Sequence, residues 1–263
     1  MKSLVVQIFH RNPLLARVGS AFLLLSVILL VMIPFNETSV LGINSLIKPF
    51  KFATSIWIYM WTMAYLMHYF QNQRINKRLT YLIVITMLYE QVVITVQALR
   101  GTLSHFNRDT ALEGILFGLM GIMITAMTLY SLYAVLKFRK QKGPMSLTKA
   151  QKESIIYGTI IFVVAGFIGG VMGNFSSHNI GGPMGGEGLP LVDWSTKFGD
   201  LRISHFIGLH ALQILPLLSF GFRRWGMDKI HSLRLVRVIA FFYLLFVVGT
   251  FVQAMMGLPL FAM

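Results

Sequence analysis

The chain contains no cysteine. Thiol nucleophiles, disulfide frameworks, thiolate zinc sites and iron–sulfur ligation are therefore excluded, and any chemistry must rest on His, carboxylate, amide, hydroxyl, Lys and Arg. Charge is also scarce. Charged residues make up 12% of the 263, and only 9 are acidic against 23 basic. With 56% hydrophobic residues and a mean hydropathy of +0.69, too little polar side chain is left to cover a soluble domain of this length. Composition alone makes this an integral membrane protein. Its 21 Phe and 16 Met supply bulky, adaptable packing for helices that face lipid.

Apolar runs of about 20 residues, enough to cross a hydrocarbon core, occur over 15–35, 51–70, 79–99, 112–136, 155–173, 203–221 and 235–257. None shows the period-2 alternation of barrel strands. The expected fold is all-α: residues 1–263 form a single membrane domain, a bundle of seven transmembrane helices. The first run follows Lys2, Arg11 and Arg17, but no small-residue cleavage site follows it at Met32 to Phe35, so it reads as a retained helix.

Orientation follows from the basic residues. Those preceding the first span, those around Arg74 to Arg78, those from Lys137 to Lys152 and those from Arg223 to Arg237 fall on one side and comprise 17 of the 23. Lys48, Lys51, Arg100, Arg108, Lys197 and Arg202 fall on the other. Counting acids, the first side carries +15 and the second −1. The positive-inside rule then places the N-terminus in the cytoplasm and the C-terminus outside. The charge is split over four short loops with little aromatic interleaving, so no nucleic-acid partner is expected. Membrane lipids are the expected surroundings. The basic loop at Lys137 to Lys152, broken by Gly143-Pro144, suits anionic headgroups.

The outer segment 174–200 is the longest loop and the richest in Gly, with Gly181, Gly182, Gly185, Gly186, Gly188 and Gly199. Leu189, Leu191, Val192 and Trp194 give it apolar side chains of its own, and it is expected to fold back as a lid. A short echo links Gln97-Ala98-Leu99-Arg100-Gly101 with Gln253-Ala254-Met255-Met256-Gly257, at the outer ends of the third and seventh spans. Such parallel repeats occur in transporters.

Polar residues inside spans mark the candidate site. Glu90 lies near mid-membrane, where an isolated carboxylate costs about 2.5–3.5 kcal/mol, so it must be protonated, hydrogen-bonded or paired. Gln97 lies two turns on, within about 20° of the same helix face. Arg100, His105 and Asn107 follow at the helix end, where Arg100 either closes the last carbonyls or holds an anion. In the sixth span, Asp200 has an N-cap position and Arg202 follows it. His205 and His210 are five residues apart, about 140° around the helix, so they do not form the i, i+4 pair that shares a zinc ion. Gln213 lies about 60° from His210, and Pro216 frees the Leu212 carbonyl one turn back. A retinal Schiff base is disfavoured because no Lys lies deep in the seventh span. Bis-His haem is disfavoured because His68 and His205 sit at opposite ends of their spans. A divalent metal held by His205 or His210 with Glu90 and His105 is compatible with the residue types, but they do not name the metal.

At Gly101 to Asn107, at Gly181 to Pro190 and above all at Gly199-Asp200-Leu201-Arg202 through His205-Phe206 to Gly208-Leu209-His210-Ala211-Leu212-Gln213, the chain resembles a family of uncharacterised bacterial multi-spanning membrane proteins. The resemblance covers most of the chain from Lys48 onward. It implies a bacterial inner-membrane location and carries no activity with it.

Two functions fit these residues. One is a membrane-embedded enzyme with a His/carboxylate pocket in the outer half of the bundle, acting on a lipid or amphipathic small molecule, with or without a metal. Glu90, His205 and His210 would be its catalytic groups, and Gln97, Arg100, His105, Asn107, Asp200, Arg202 and Gln213 would bind substrate. The other is a small-molecule or proton-coupled transporter, or a ligand-sensing receptor, using the same groups without covalent chemistry. Small residues at Gly166, Gly169, Gly170 and Gly173 would allow the close helix approach it needs.

Overall fold

The computed structural model describes residues 3–142, 146–185, 188–190 and 192–262. Lys2, the Gly143-Pro144 breaker, and Gly186, Glu187 and Leu191 of the Gly-rich loop lie outside the described residues. The protein is all-α, with eight α-helices among the described residues. These are α1 (Leu4–Arg11), α2 (Pro13–Met32), α3 (Ile47–Leu66), α4 (Gln73–Leu99), α5 (Ala111–Lys140), α6 (Lys149–Phe175), α7 (Leu201–Arg224) and α8 (Lys229–Met255). Two antiparallel pairs of two-residue strands accompany them. One is β1 (Ser39–Val40) with β2 (Ile43–Asn44), the other β3 (Asn179–Ile180) with β4 (Gly199–Asp200).

Six helices, α2 and α4 to α8, are long and apolar enough to cross a membrane, as befits a multi-pass membrane protein. Their outward faces bear bare hydrocarbon such as Ile122 and Phe241, 66% and 63% exposed, which water would reject and lipid accepts. The remaining expected span, 51–70, corresponds to α3 and a 3₁₀ turn at Met67–Tyr69. At 20 residues α3 has the length. Lys48, Pro49 and Lys51 at its start, and Thr54, Ser55 and its Tyr and Trp side chains further on, leave it less apolar than the other six. The short α1 was not anticipated, although Asn12-Pro13 marks its end: Asn12 caps α2 by accepting from the Leu15 N–H, and Pro13 opens that helix.

The chain forms two compact units, residues 1–130 and 131–263, whose boundary falls within α5. In the first unit α2 packs along α3, and α4 packs on α3. In the second, α6, α7 and α8 pack on one another. The same order of elements occurs in each: a helix, a strand pair and two further helices. The match is one of position as well as order. Asn44 and Asp200 each accept an N–H two residues on, from Leu46 and Arg202. Asn72 and Asp228 each cap a helix of 27 residues, α4 and α8. Gly101 and Gly257 each end that helix in the left-handed region, at φ +68° and +75°. Around both, the next residue's N–H returns to a Gln carbonyl, Thr102 to Gln97 and Leu258 to Gln253, closing the same C-terminal cap. Every one of these pairs is 156 residues apart. The five-residue echo is therefore the end of a longer correspondence. The two strand pairs differ in one respect: Leu41 and Gly42 alone join β1 to β2, both at positive φ as a tight hairpin requires, whereas residues 181–198 separate β3 from β4. The Gly-rich loop is an insertion at a hairpin tip.

Candidate functional site

In the first unit, the expected residues group around the end of α4. Glu90 is 5% exposed, and no hydrogen-bond or ion-pair partner is present for its carboxylate among the described residues. The charge that reaches it is that of Lys48 on α3. Lys48 Nζ stands 3.3 Å from His105 Nδ1, and Ser104 Oγ stands 3.2 Å from the same nitrogen. Aromatic rings wall this cluster, Phe52 at 5.6 Å and Phe117 at 6.1 Å from the His105 ring. Phe106 holds the turn at φ +64°, an unfavourable conformation for a bulky side chain, and its ring packs edge-on against Phe117 at 5.6 Å.

Gln97, Arg100 and Asn107 have mainly local partners. Arg100 donates to Gln97 Oε1 at 2.6 Å and forms an ion pair at 3.3 Å with Glu113, which is buried and accepts from the hydroxyl of Thr110 at the start of α5. Gln97 Nε2 reaches the Leu103 carbonyl. Asn107 Nδ2 donates to the same carbonyl, and its Oδ1 accepts from the Asp109 N–H. This network shapes the α4–α5 turn and so positions His105. Sequence reading singles out neither Lys48 nor Glu113 for the site. The signal for Lys48 was its place beside Pro49 at the outer start of a span, which is equally the place of a snorkelling anchor.

In the second unit, Asp200 is the N-cap of α7, and its side chain is fully buried. Four donor groups saturate it: the backbone N–H groups of Arg202 and Ser195, each at 2.9 Å, and the Arg202 Nε and Nη2. Arg202 also donates to the Asp193 carbonyl oxygen and reaches the Asp193 carboxylate at 3.4 Å. The pair thus latches the hairpin insertion to the head of α7. The described residues of that insertion pack: Leu189 N–H donates to the Trp194 carbonyl, and Trp194 packs on Phe206 at 5.8 Å. Gly199 lies so close to the end of α8 that a Cβ there would collide with the Ala254 carbonyl oxygen.

His205 points into the contact between α6 and α7. Its Nδ1 is 2.6 Å from the Ala165 carbonyl, and a Cβ on Gly169 would come within 2.9 Å of its ring. A carbonyl only accepts, so Nδ1 carries a proton. His210 bonds the Phe206 carbonyl on its own helix at 2.7 Å and stacks on that ring at 4.2 Å. The Gln213 amide, with its nitrogen turned inward, lies 3.2 Å from the Leu209 and His210 carbonyls. His205 and His210 therefore have different surroundings, as their angular separation requires. Among the described residues, no group of three or more His, Asp or Glu side chains could hold a metal ion. The proposed donors Glu90, His105 and His205 or His210 form no such group.

Comparison with protein families, with curated proteins and with solved structures finds nothing that matches this chain.

Proposed function

We propose that the chain is a seven-span protein of a bacterial inner membrane, with a cytoplasmic N-terminus and an external C-terminus, that carries a small polar ligand coupled to proton binding at Glu90. The observation that supports this most is Glu90 itself, a buried carboxylate with no hydrogen-bond or ion-pair partner among the described residues and within reach of the Lys48 charge. A carboxylate kept in that state is held for something it exchanges. The other candidates are engaged: Asp200 by four donor groups, Arg202 by two aspartates, His205 and His210 by backbone carbonyls. Glu90 can accept from, and Lys48 can donate to, a ligand that bears both a donor and an acceptor. The repeated order of elements in the two units favours a carrier, since parallel repeats are a transporter device.

Charge supports seven spans over six. If α3 did not cross, Arg74, Lys77 and Arg78 would share a side with Lys48 and Lys51, and the basic residues would divide 16 against 7 rather than 17 against 6, with Lys2, Arg11 and Arg17 on the poorer side. Reporter fusions after Lys140 and after the C-terminus test this directly, with cytoplasmic and external signals expected respectively. For the function, the purified protein is reconstituted in vesicles holding a pH-sensitive dye and presented with amino acids, organic acids and sugars. Ligand-driven proton entry that disappears in a folded Glu90→Gln variant is expected. Equal entry in the variant would remove Glu90 from the mechanism.

One observation favours a second reading, a membrane enzyme acting on a lipid or amphipathic substrate. Ser104 Oγ lies within reach of His105 Nδ1, a nucleophile-and-base arrangement. Lys48 competes for the same lone pair, which weakens His105 as a base. Labelling of Ser104 by a serine-reactive fluorophosphonate, absent in Ser104→Ala, would establish the enzyme instead.

A further inference from the structure

At the opposite end of the first unit, where α2 and α4 begin and α3 ends, a cleft of about 280 Å³ is lined by Arg11, Asn12, His68, Asn76, Lys77 and Thr80, among others. Neither Arg11 nor Lys77 has a carboxylate partner among the described residues. The sequence explains this: Glu37 and Glu90 are the only acids in the first 108 residues, one beyond the far end of α2 and the other deep in α4. Two cations thus face a polar cleft that holds no anion of the protein's own.

The donors are arranged for a ligand. Arg11 lies 3.9 Å over the Tyr65 ring, and its Nη1 donates to the Tyr65 carbonyl and the Tyr69 hydroxyl while Nη2 donates to Gln7. Of five guanidinium hydrogens, these bonds leave the Nε hydrogen and one on Nη2. Stacking on Tyr65 fixes the plane in which they point. Thr80 Oγ1 accepts from Asn12 Nδ2 at 2.8 Å, so its own hydrogen remains to be given. Asn76 donates both amide hydrogens, to the Met67 and Phe70 carbonyls, yet its Oδ1 is buried with no donor. The cleft therefore offers charge-assisted donors for an anion and one buried acceptor beside them.

The surroundings specify the source of that anion. α1, which ends in Arg11, exposes Leu4, Val5 and Val6, as a helix lying in the plane of a bilayer surface does. Tyr65, Tyr69 and Tyr81 ring the same end, where interfacial aromatics belong. We infer that this cleft binds an anionic phospholipid headgroup, with its phosphate on Arg11, Lys77 and Thr80 and a headgroup hydroxyl given to Asn76 Oδ1. Phosphate is the shared chemistry; the lipid is the source that α1 selects.

The test uses the full-length protein in detergent, with short-chain phosphatidylglycerol, short-chain phosphatidylcholine and inorganic phosphate as separate probes, read by thermal shift and by native mass spectrometry. Phosphatidylglycerol is expected to bind and stabilise, with phosphatidylcholine weaker. Lys77→Gln, at an exposed residue with no partner to lose, should weaken phosphatidylglycerol binding about tenfold, the loss of one hydrogen bond to a charged group. Arg11→Gln should weaken it further, and Thr80→Val provides a readout if Arg11→Gln fails to fold. Lys140→Gln, a basic residue outside the cleft, should bind as the wild type does. Inorganic phosphate matching the lipid's effect at equal concentration would keep the anion site and overturn the lipid. Equal binding by wild type, Lys77→Gln and Thr80→Val, or an equal loss in Lys140→Gln, would overturn the site.

Discussion

Replacing Asp200 by Ala is the sharpest test of whether the polar head of α7 is structural or substrate-binding. The substitution removes the N-cap, worth about 1 kcal/mol. It also strands the partly buried Ser195 N–H, at about 1–3 kcal/mol. Breaking a fully buried ion pair costs about 3–5 kcal/mol, but Arg202 is 28% exposed and keeps Asp193, so about 1 kcal/mol is the appropriate share. Together these predict a loss of about 3–5 kcal/mol, which for a chain of this size lowers the melting temperature by roughly 10 °C. Asp200→Asn keeps an acceptor for the cap and should lose about half as much. Adding Arg202→Met to Asp200→Ala should recover part of the loss, because no unpaired charge is left. The assays are thermal melting in detergent and limited proteolysis, with new cleavage expected within residues 181–198. Asp200→Ala melting like the wild type, with the insertion no easier to cut, would refute the latch and return Asp200 to the list of ligand-binding groups.

Gly169→Ala should cost about 1–3 kcal/mol in the same melting assay, since its methyl would enter the space of the His205 ring at the α6–α7 contact. Replacing residues 181–198 by Asn-Gly, the kind of tight turn that joins β1 to β2, should leave a folded protein; loss of expression in the membrane would contradict the reading of that segment as an insertion. The Asp228 carboxyl is held below its ordinary value, first by the His231 backbone N–H and then by the His231 side chain. Its contribution to α8 is thus present above the unfolded value near 3.9 and fades as pH falls through the depressed folded value. Melting of the wild type should decline across that acidic window, and Asp228→Asn, which still caps the helix, should flatten the decline.

Much of the fold was legible because each span must satisfy its own backbone within the bilayer, so apolar length reports the helix directly. Six spans and the N-cap at Asp200 follow from local signals of this kind. α3 is the instructive exception: Lys48 and Lys51 lower its apolarity, and charge alternation rather than hydropathy argues that it crosses. Of the site, residue type and depth singled out Glu90 and His105. The engagement of Arg202 with Asp193, of His205 with the Ala165 carbonyl and of Arg100 with Glu113 was not legible, because each depends on backbone carbonyls or on residues brought near by a turn.

The amino-acid sequence alone determined that this is a membrane protein, since that depends on composition and on the order of apolar runs. Tertiary structure decided which polar residues are spent on holding helices and hairpins together and which, like Glu90, have no hydrogen-bond or ion-pair partner among the described residues. A hydrogen bond joins groups that folding brings within about 3 Å of each other, and distance of that kind is not written along a chain.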